Sequence, residues 1–141
     1  MARTAVKEAL IEGLTQDMNL ELEAVLRYLY HASAATGLLG HELRELVKAD
    51  IGDELNHAIF LADKITALGG ELKIDVTMPK SVKTTREMMD LDTQGERKGI
   101  ARYVERIKQA EEFGDKGLVI KLENILAEET DHAEELERLG R

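Results

Sequence analysis

An all-α fold, an antiparallel four-helix bundle with one long crossover, follows from three observations. The 141-residue chain has one proline, few aromatic residues and abundant Ala, Leu, Glu, Lys and Arg, a composition that favours helix over strand. Apolar residues recur with the helical period through nearly all of it, interrupted at a few glycine-marked points. One interruption, Gly69 to Lys83, is 15 residues long and contains the proline. The length suits a single domain, residues 1–141, that buries its core without covalent staples.

The breaks delimit four helices. Helix α1 is predicted from about Thr4 to Thr36, with Gly37 and Gly40 bracketing the turn, and α2 from about His41 to Leu68, closed by Gly69 and Gly70. Helix α3 opens near Thr84, where Thr84 and Glu87 suit a capping box, and runs to Phe113 before Gly114. Helix α4 takes Asp115 as N-cap and continues to Leu139. Short connections make α1/α2 and α3/α4 antiparallel pairs. A helix of about 28 residues is roughly 42 Å long, and a 15-residue link reaches about 50 Å. The link can therefore span the bundle and leave α2 and α3 parallel.

Composition also excludes several functions. Cysteine is absent, so any metal is held by carboxylate and imidazole, which favours harder ions. A net charge of -9 without a basic block argues against nucleic acid as a partner. No apolar run is long enough to span a bilayer and the start is amphipathic, so no membrane association is expected and a cytoplasmic location is the default.

Each helix carries one inward stripe at alternating spacings of four and three residues. These stripes contain Glu21 and Tyr28 on α1, Asp50, Glu54, His57 and Lys64 on α2, Glu96 and Tyr103 on α3, and Glu129 and His132 on α4. Glu23, turned about 200° from Glu21, faces outward. Four core carboxylates are costly without a counter-charge. Lys64 lies far along its stripe and no arginine falls on a stripe near them. Two divalent ions would balance the layer, with the histidines as neutral donors.

An internal repeat supports that reading. A shift of 75 residues superposes Glu21 on Glu96, Arg27 on Arg102, Tyr28 on Tyr103, Glu54 on Glu129 and His57 on His132. A pseudo-two-fold bundle with one metal per half is implied, each Glu-x-x-His pair sharing a helix face at i and i+3. Tyr28 and Tyr103 read first as core tyrosines, with electron donation as the alternative. Asp50 is expected to pair with Lys64 or to line an ion route, and Met18 and Met89 to fill core. His31 and His41 lack a matching glutamate and are expected at the surface or the bundle end.

The segments NLELEAVLRYLYHA, DELNHA and AEETDHAEEL resemble the metal-binding helices of bacterioferritins, and the similarity runs from about Leu14 to Leu139. The resemblance implies that Glu21, Glu54, His57, Glu96, Glu129 and His132 are ferroxidase ligands for two iron ions, with Glu54 and Glu129 bridging. It also places Tyr28 beside the catalytic site. The haem-binding methionine of that family corresponds here to Leu55, so haem is not expected. A short fifth helix has no counterpart before Arg141, which turns the expectation from a 24-subunit cage toward a 12-subunit shell.

The expected activity is therefore oxidation of Fe(II) by O2 or hydrogen peroxide, for iron storage or detoxification. The alternative is a cage-free diiron peroxidase similar to rubrerythrins, which share the RY of α1. That family's cysteine site is missing, and Gly99 stands where it carries a further glutamate. A second apolar stripe, Leu22, Leu26 and Leu29 on α1 with Ile51, Leu55, Ala58, Ala62 and Ile65 on α2, becomes under the same shift Arg97, Ala101 and Val104 with Leu126, Thr130, Ala133, Glu137 and Gly140, a set broken by polar residues. It predicts an isologous homodimer through α1 and α2.

Overall fold

The computed structural model describes residues 2–141, with α1 at Arg3–Ala34, α2 at Gly40–Ala67, α3 at Thr85–Phe113 and α4 at Lys116–Leu139. Local chemistry fixes most of these ends. The Thr84 hydroxyl accepts from the Glu87 amide at 3.1 Å and donates to the Glu87 carboxylate, starting α3. Asp115 accepts from the Leu118 amide at 3.0 Å, starting α4. Gly114 ends α3 with a left-handed φ of 90°, a conformation that favours glycine. Helix α1 stops two residues before the expected Thr36, because Ala35 is extended and the Thr36 amide turns to donate to Thr85 Oγ1.

The crossover does span the bundle. Asn19 binds it at Lys73 and Asp75, Glu23 accepts from the Thr77 amide, Tyr30 meets Ser81, and Thr36 meets Thr85. Its attachment points thus climb α1 from residue 19 to residue 36, about 25 Å at the helical rise. Helix α3 starts beside the end of α1 and runs antiparallel to it, which leaves α2 and α3 parallel. No described helix is long and apolar enough to cross a membrane.

Two apolar clusters pack the ends of the bundle. One includes Leu10, Leu14, Leu61, Leu118 and Leu122, and the other Tyr28, Leu43, Val47, Met89 and Leu136. Met18 and Met89 are core residues, as expected. The second apolar stripe is narrower than its sequence suggests. Ala58 and Ile65 are buried within the chain, whereas Leu29, Leu55 and Ile59 remain 57, 45 and 51% exposed.

Candidate metal centre

Between the apolar clusters lies a polar layer to which each helix contributes from its inward stripe. Glu21, Glu54, His57, Glu96, Glu129 and His132 are all buried there. They form two overlapping groups: Glu21, Glu54, His57 and Glu129 make one, and Glu54, Glu96, Glu129 and His132 make the other. Within each group the ligand atoms lie within 4.8 Å of one another. Glu54 and Glu129 belong to both. His57 Nδ1 stands 3.0 Å from Glu129 Oε1 and 3.5 Å from Glu21 Oε2. His132 Nδ1 stands 2.9 Å from Glu54 Oε1 and 3.8 Å from Glu96 Oε1.

Among the described residues, the buried side-chain atoms left without a hydrogen bond are Glu21 Oε2, Glu54 Oε1, His57 Nδ1, Glu96 Oε2, Glu129 Oε1, His132 Nδ1 and His31 Nε2. Six of the seven come from the six sequence-predicted ligands and converge on one space. Buried polar atoms are normally satisfied, so this convergence fits a pair of cations bound by oxygen and nitrogen. The fit extends to the imidazoles. His57 Nε2 bonds Glu128 at 2.6 Å and His132 Nε2 bonds Asp53 at 3.0 Å, which places the proton on Nε2 and leaves Nδ1 free to bind.

Asp53 and Glu128 escaped the sequence reading. They are related by the 75-residue shift, each directly precedes Glu54 or Glu129, and each reaches the histidine of the opposite helix. That signal was available, but half-exposed charges beside a core stripe look like solvated ones. Tyrosines complete the pseudo-symmetry: Tyr28 donates to Glu96 Oε1, and Tyr103 donates to Glu21 Oε1 at 2.5 Å. Burial, reinforced by neighbouring carboxylates, pushes both phenols well above their usual range.

Several outer residues differ from expectation. His31 lies in the last turn of α1, at the bundle end, but is fully buried there and not at the surface, with Nδ1 2.7 Å from Asp92 Oδ2; His41 is exposed. Arg106 is also buried, binding Asp17 at 2.7 Å. Asp17 further pairs with Arg102 at 3.3 Å, and Asp92 with Arg27 at 2.9 Å. These paired positions, too, lie 75 residues apart, Asp17 on Asp92, Arg27 on Arg102 and His31 on Arg106. The buried arginine leaves the electrostatic argument intact, because its charge is met by Asp17 and not by the four glutamates. Lys64 pairs with Asp115, while Asp50 approaches His132 Nε2 at 3.6 Å.

Without metal the layer retains protons. Burial, then hydrogen bonding and repulsion from Glu21, raises Glu54 well above the carboxylate range. Burial raises Glu129 to about 8 against the opposing pull of His57. Burial would lower His57, but Glu129 and Glu21 outweigh it and raise the imidazole to about 11. Glu96 and Asp50 likewise outweigh burial at His132, which reaches about 9. Glu96 moves the other way: burial acts to raise it, but hydrogen bonds from His132 and its neighbours hold it low.

These shifts set a pH dependence. Glu129 and His57 bind protons more tightly in the folded chain than at their ordinary values of 4.5 and 6.5, so they stabilise the metal-free fold at low pH. That contribution is lost as pH rises through about 8 and then about 11. Metal must displace the same protons and therefore binds better as pH rises. The gap in melting temperature between Zn(II)-loaded and metal-free protein should widen from about pH 6 to about pH 8. Thermal unfolding of both forms across this range checks the sign.

The sequence matches the ferritin-like domain family over residues 11–140. A bacterioferritin of Mycobacterium leprae is 27% identical over 125 residues, covering 88% of this chain and 79% of that one. The crystal structure of a ferritin-like, diiron-carboxylate protein from Bacillus anthracis has a TM-score of 0.93 at 36% identity, with both chains fully covered. The Desulfovibrio desulfuricans bacterioferritin, whose diiron site has been seen in different catalytic states, has a TM-score of 0.81 at 26% identity. The match covers 99% of this chain and 82% of that one. With its four helices, its parallel crossover pair and its buried carboxylate-histidine layer, this chain belongs to the ferritin-like domain family.

Proposed function

We propose that this protein is a ferroxidase that oxidises Fe(II) with O2 or hydrogen peroxide at an intrachain dinuclear centre, in the service of iron storage or detoxification. The observation that carries this reading is the convergence of six orphaned buried ligand atoms in two groups sharing Glu54 and Glu129. Relatives described as bacterioferritins and as a diiron-carboxylate protein support it. Glu21 and His57 would bind one iron, Glu96 and His132 the other, and Glu54 and Glu129 would bridge. Two bound irons supply the electrons passed to the oxidant.

The chain's own residues prepare that chemistry. Four carboxylates favour the ferric over the ferrous ion. The Tyr28 and Tyr103 hydroxyls orient Glu96 and Glu21 by donating to one oxygen and leaving the other for metal. Asp53 and Glu128 hold the imidazoles in the binding tautomer. Leu55 occupies the position at which the resemblance would require a haem-binding methionine, and this reading includes no haem. Mixing Fe(II) with metal-free protein in air and following ferric absorbance by stopped flow tests the proposal; a rate no faster than that of free Fe(II) in the same buffer would overturn it.

A further inference from the structure

The two halves of the metal layer repeat their ligands but not the charges behind them. One helical turn before each ligand glutamate of α1 and α3 stands a buried aspartate, Asp17 before Glu21 and Asp92 before Glu96. Asp17 is bound by two guanidinium groups, Arg102 at 3.3 Å and Arg106 through both Nε at 2.7 Å and Nη2 at 3.1 Å. Asp92 is bound by one, that of Arg27, and by the His31 imidazole. His31 Nδ1 donates to Asp92, while its fully buried Nε2 meets no hydrogen-bond partner. A protonated Nε2 would need an acceptor there, so this imidazole adds no charge. The group behind Glu21 therefore carries one net positive charge, and the group behind Glu96 carries none.

A second break in the repeat acts in the same sense. Asp50 approaches His132 Nε2 at 3.6 Å, whereas the 75-residue shift puts apolar, buried Ile125 at the equivalent position of α4. Asp53 on His132 and Glu128 on His57 match and cancel. Each ligand set stays with its own end of the bundle, because Glu96 is bound by Tyr28 of one apolar cluster and Glu21 by Tyr103 of the other. Arg27, seated against Gly95, lies deeper than Arg102, but its partner Asp92 is deeper still and neutralises it. Arg97 and Lys98, set against Leu22 and Glu23, differ in the opposite sense. Both are exposed and Arg97 is paired with Glu137, so water screens them and the buried charges decide.

We infer that the two metal positions are unequal: the one held by Glu96 and His132 fills first, and the charges of Arg106 and Asp50 set that order. A unit charge roughly 10 Å from a dication in a protein interior changes its affinity by at least about tenfold. The inference rests on the dinuclear ferroxidase reading, but its test requires no turnover. At pH 8, half an equivalent of Co(II) per chain is added anaerobically to metal-free protein and the proton NMR spectrum is recorded. Co(II) shifts the exchangeable Nε2 proton of a bound imidazole far outside the ordinary range. Asp53→Asn and Glu128→Gln assign the two signals, since each alters the partner of one imidazole.

The His132 signal should exceed the His57 signal by at least about tenfold. Arg106→Gln and Asp50→Asn should each reduce that ratio by at least about threefold, and together bring the signals close to equality. Arg106→Lys, which keeps the charge and loses the planar fork, should retain the order. Asp50 is only partly buried, so Asp50→Asn keeps the test open if substitution of Arg106 disturbs packing. Equal signals or a dominant His57 signal in the unsubstituted protein would overturn the inference, as would a ratio unmoved by both Arg106→Gln and Asp50→Asn. Either result would leave the dinuclear centre standing. A protein that fills in the expected order yet fails to oxidise Fe(II) would refute the ferroxidase reading alone.

Discussion

Replacing Glu54 or Glu129 with alanine should reduce the rate of Fe(II) oxidation by at least about a hundredfold, since each removes a ligand proposed to serve both irons at once. The fold should survive. Each substitution deletes a buried carboxyl that the metal-free layer holds protonated, so the variant loses a ligand without leaving a new buried charge unpaired. Helix content should stay near that of the unsubstituted protein by circular dichroism, while the stopped-flow ferric signal disappears. Near-normal oxidation in both variants would remove these residues from the chemistry. Alanine at Tyr28 or Tyr103 would be less informative, because each fills core as well as contacting a ligand.

The second large effect concerns assembly. Leu29, Leu55 and Ile59 form an exposed apolar face on α1 and α2, with Leu26 half-buried beside them, whereas the equivalent positions on α3 and α4 hold Val104, Thr130, Glu134 and Ala101, a smaller and partly polar set. A monomer gains nothing from this asymmetry, and a patch of this kind marks an interface. A second copy of the chain, related by a two-fold axis, is the proposed occupant. Leu26→Glu combined with Leu55→Glu would bring like charges together across that axis. Each unpaired buried charge costs several kcal/mol, and about 1.4 kcal/mol is tenfold in affinity, so the dimer dissociation constant should rise by at least about a thousandfold. Sedimentation velocity reads the outcome: the double variant should run as a monomer, and assembly unchanged from the parent would place the interface elsewhere.

Much of this was legible in the sequence because a helical bundle translates period into position. Glu21, Glu54, Glu96 and Glu129 fall on stripes otherwise occupied by Leu, Ile and Met, and the 75-residue repeat duplicates the pattern. Capping at Thr84 and Asp115 could be read locally for the same reason that it works locally. What was missed lies one position off the stripes. Asp17, Asp92, Arg106 and His31 are buried because α1 and α3 pack closely, and this depends on the distance between helices and not on the period within one. Gly13 shows that dependence: a side chain there would collide with the Arg106 guanidinium. Asp53 and Glu128 were hidden for the opposite reason, since half-exposed carboxylates are ordinary until an imidazole is found beside them. The apolar face was overdrawn at Ala58 and Ile65, whose burial within the chain depends on how far each helix rotates toward its neighbour.

One chain is proposed to hold two metal ions between six residues. Anaerobic titration of metal-free protein with Co(II), read by its visible absorbance and by calorimetry, tests it directly. Saturation is expected at two ions per chain in the unsubstituted protein, with a proton release that grows as pH falls from about 8 to about 6, because more ligand groups are then protonated before metal binds. The stoichiometric break at two should be lost in Glu54→Ala and in Glu129→Ala. Saturation at one ion or none, or a break at two that survives both substitutions, would contradict it.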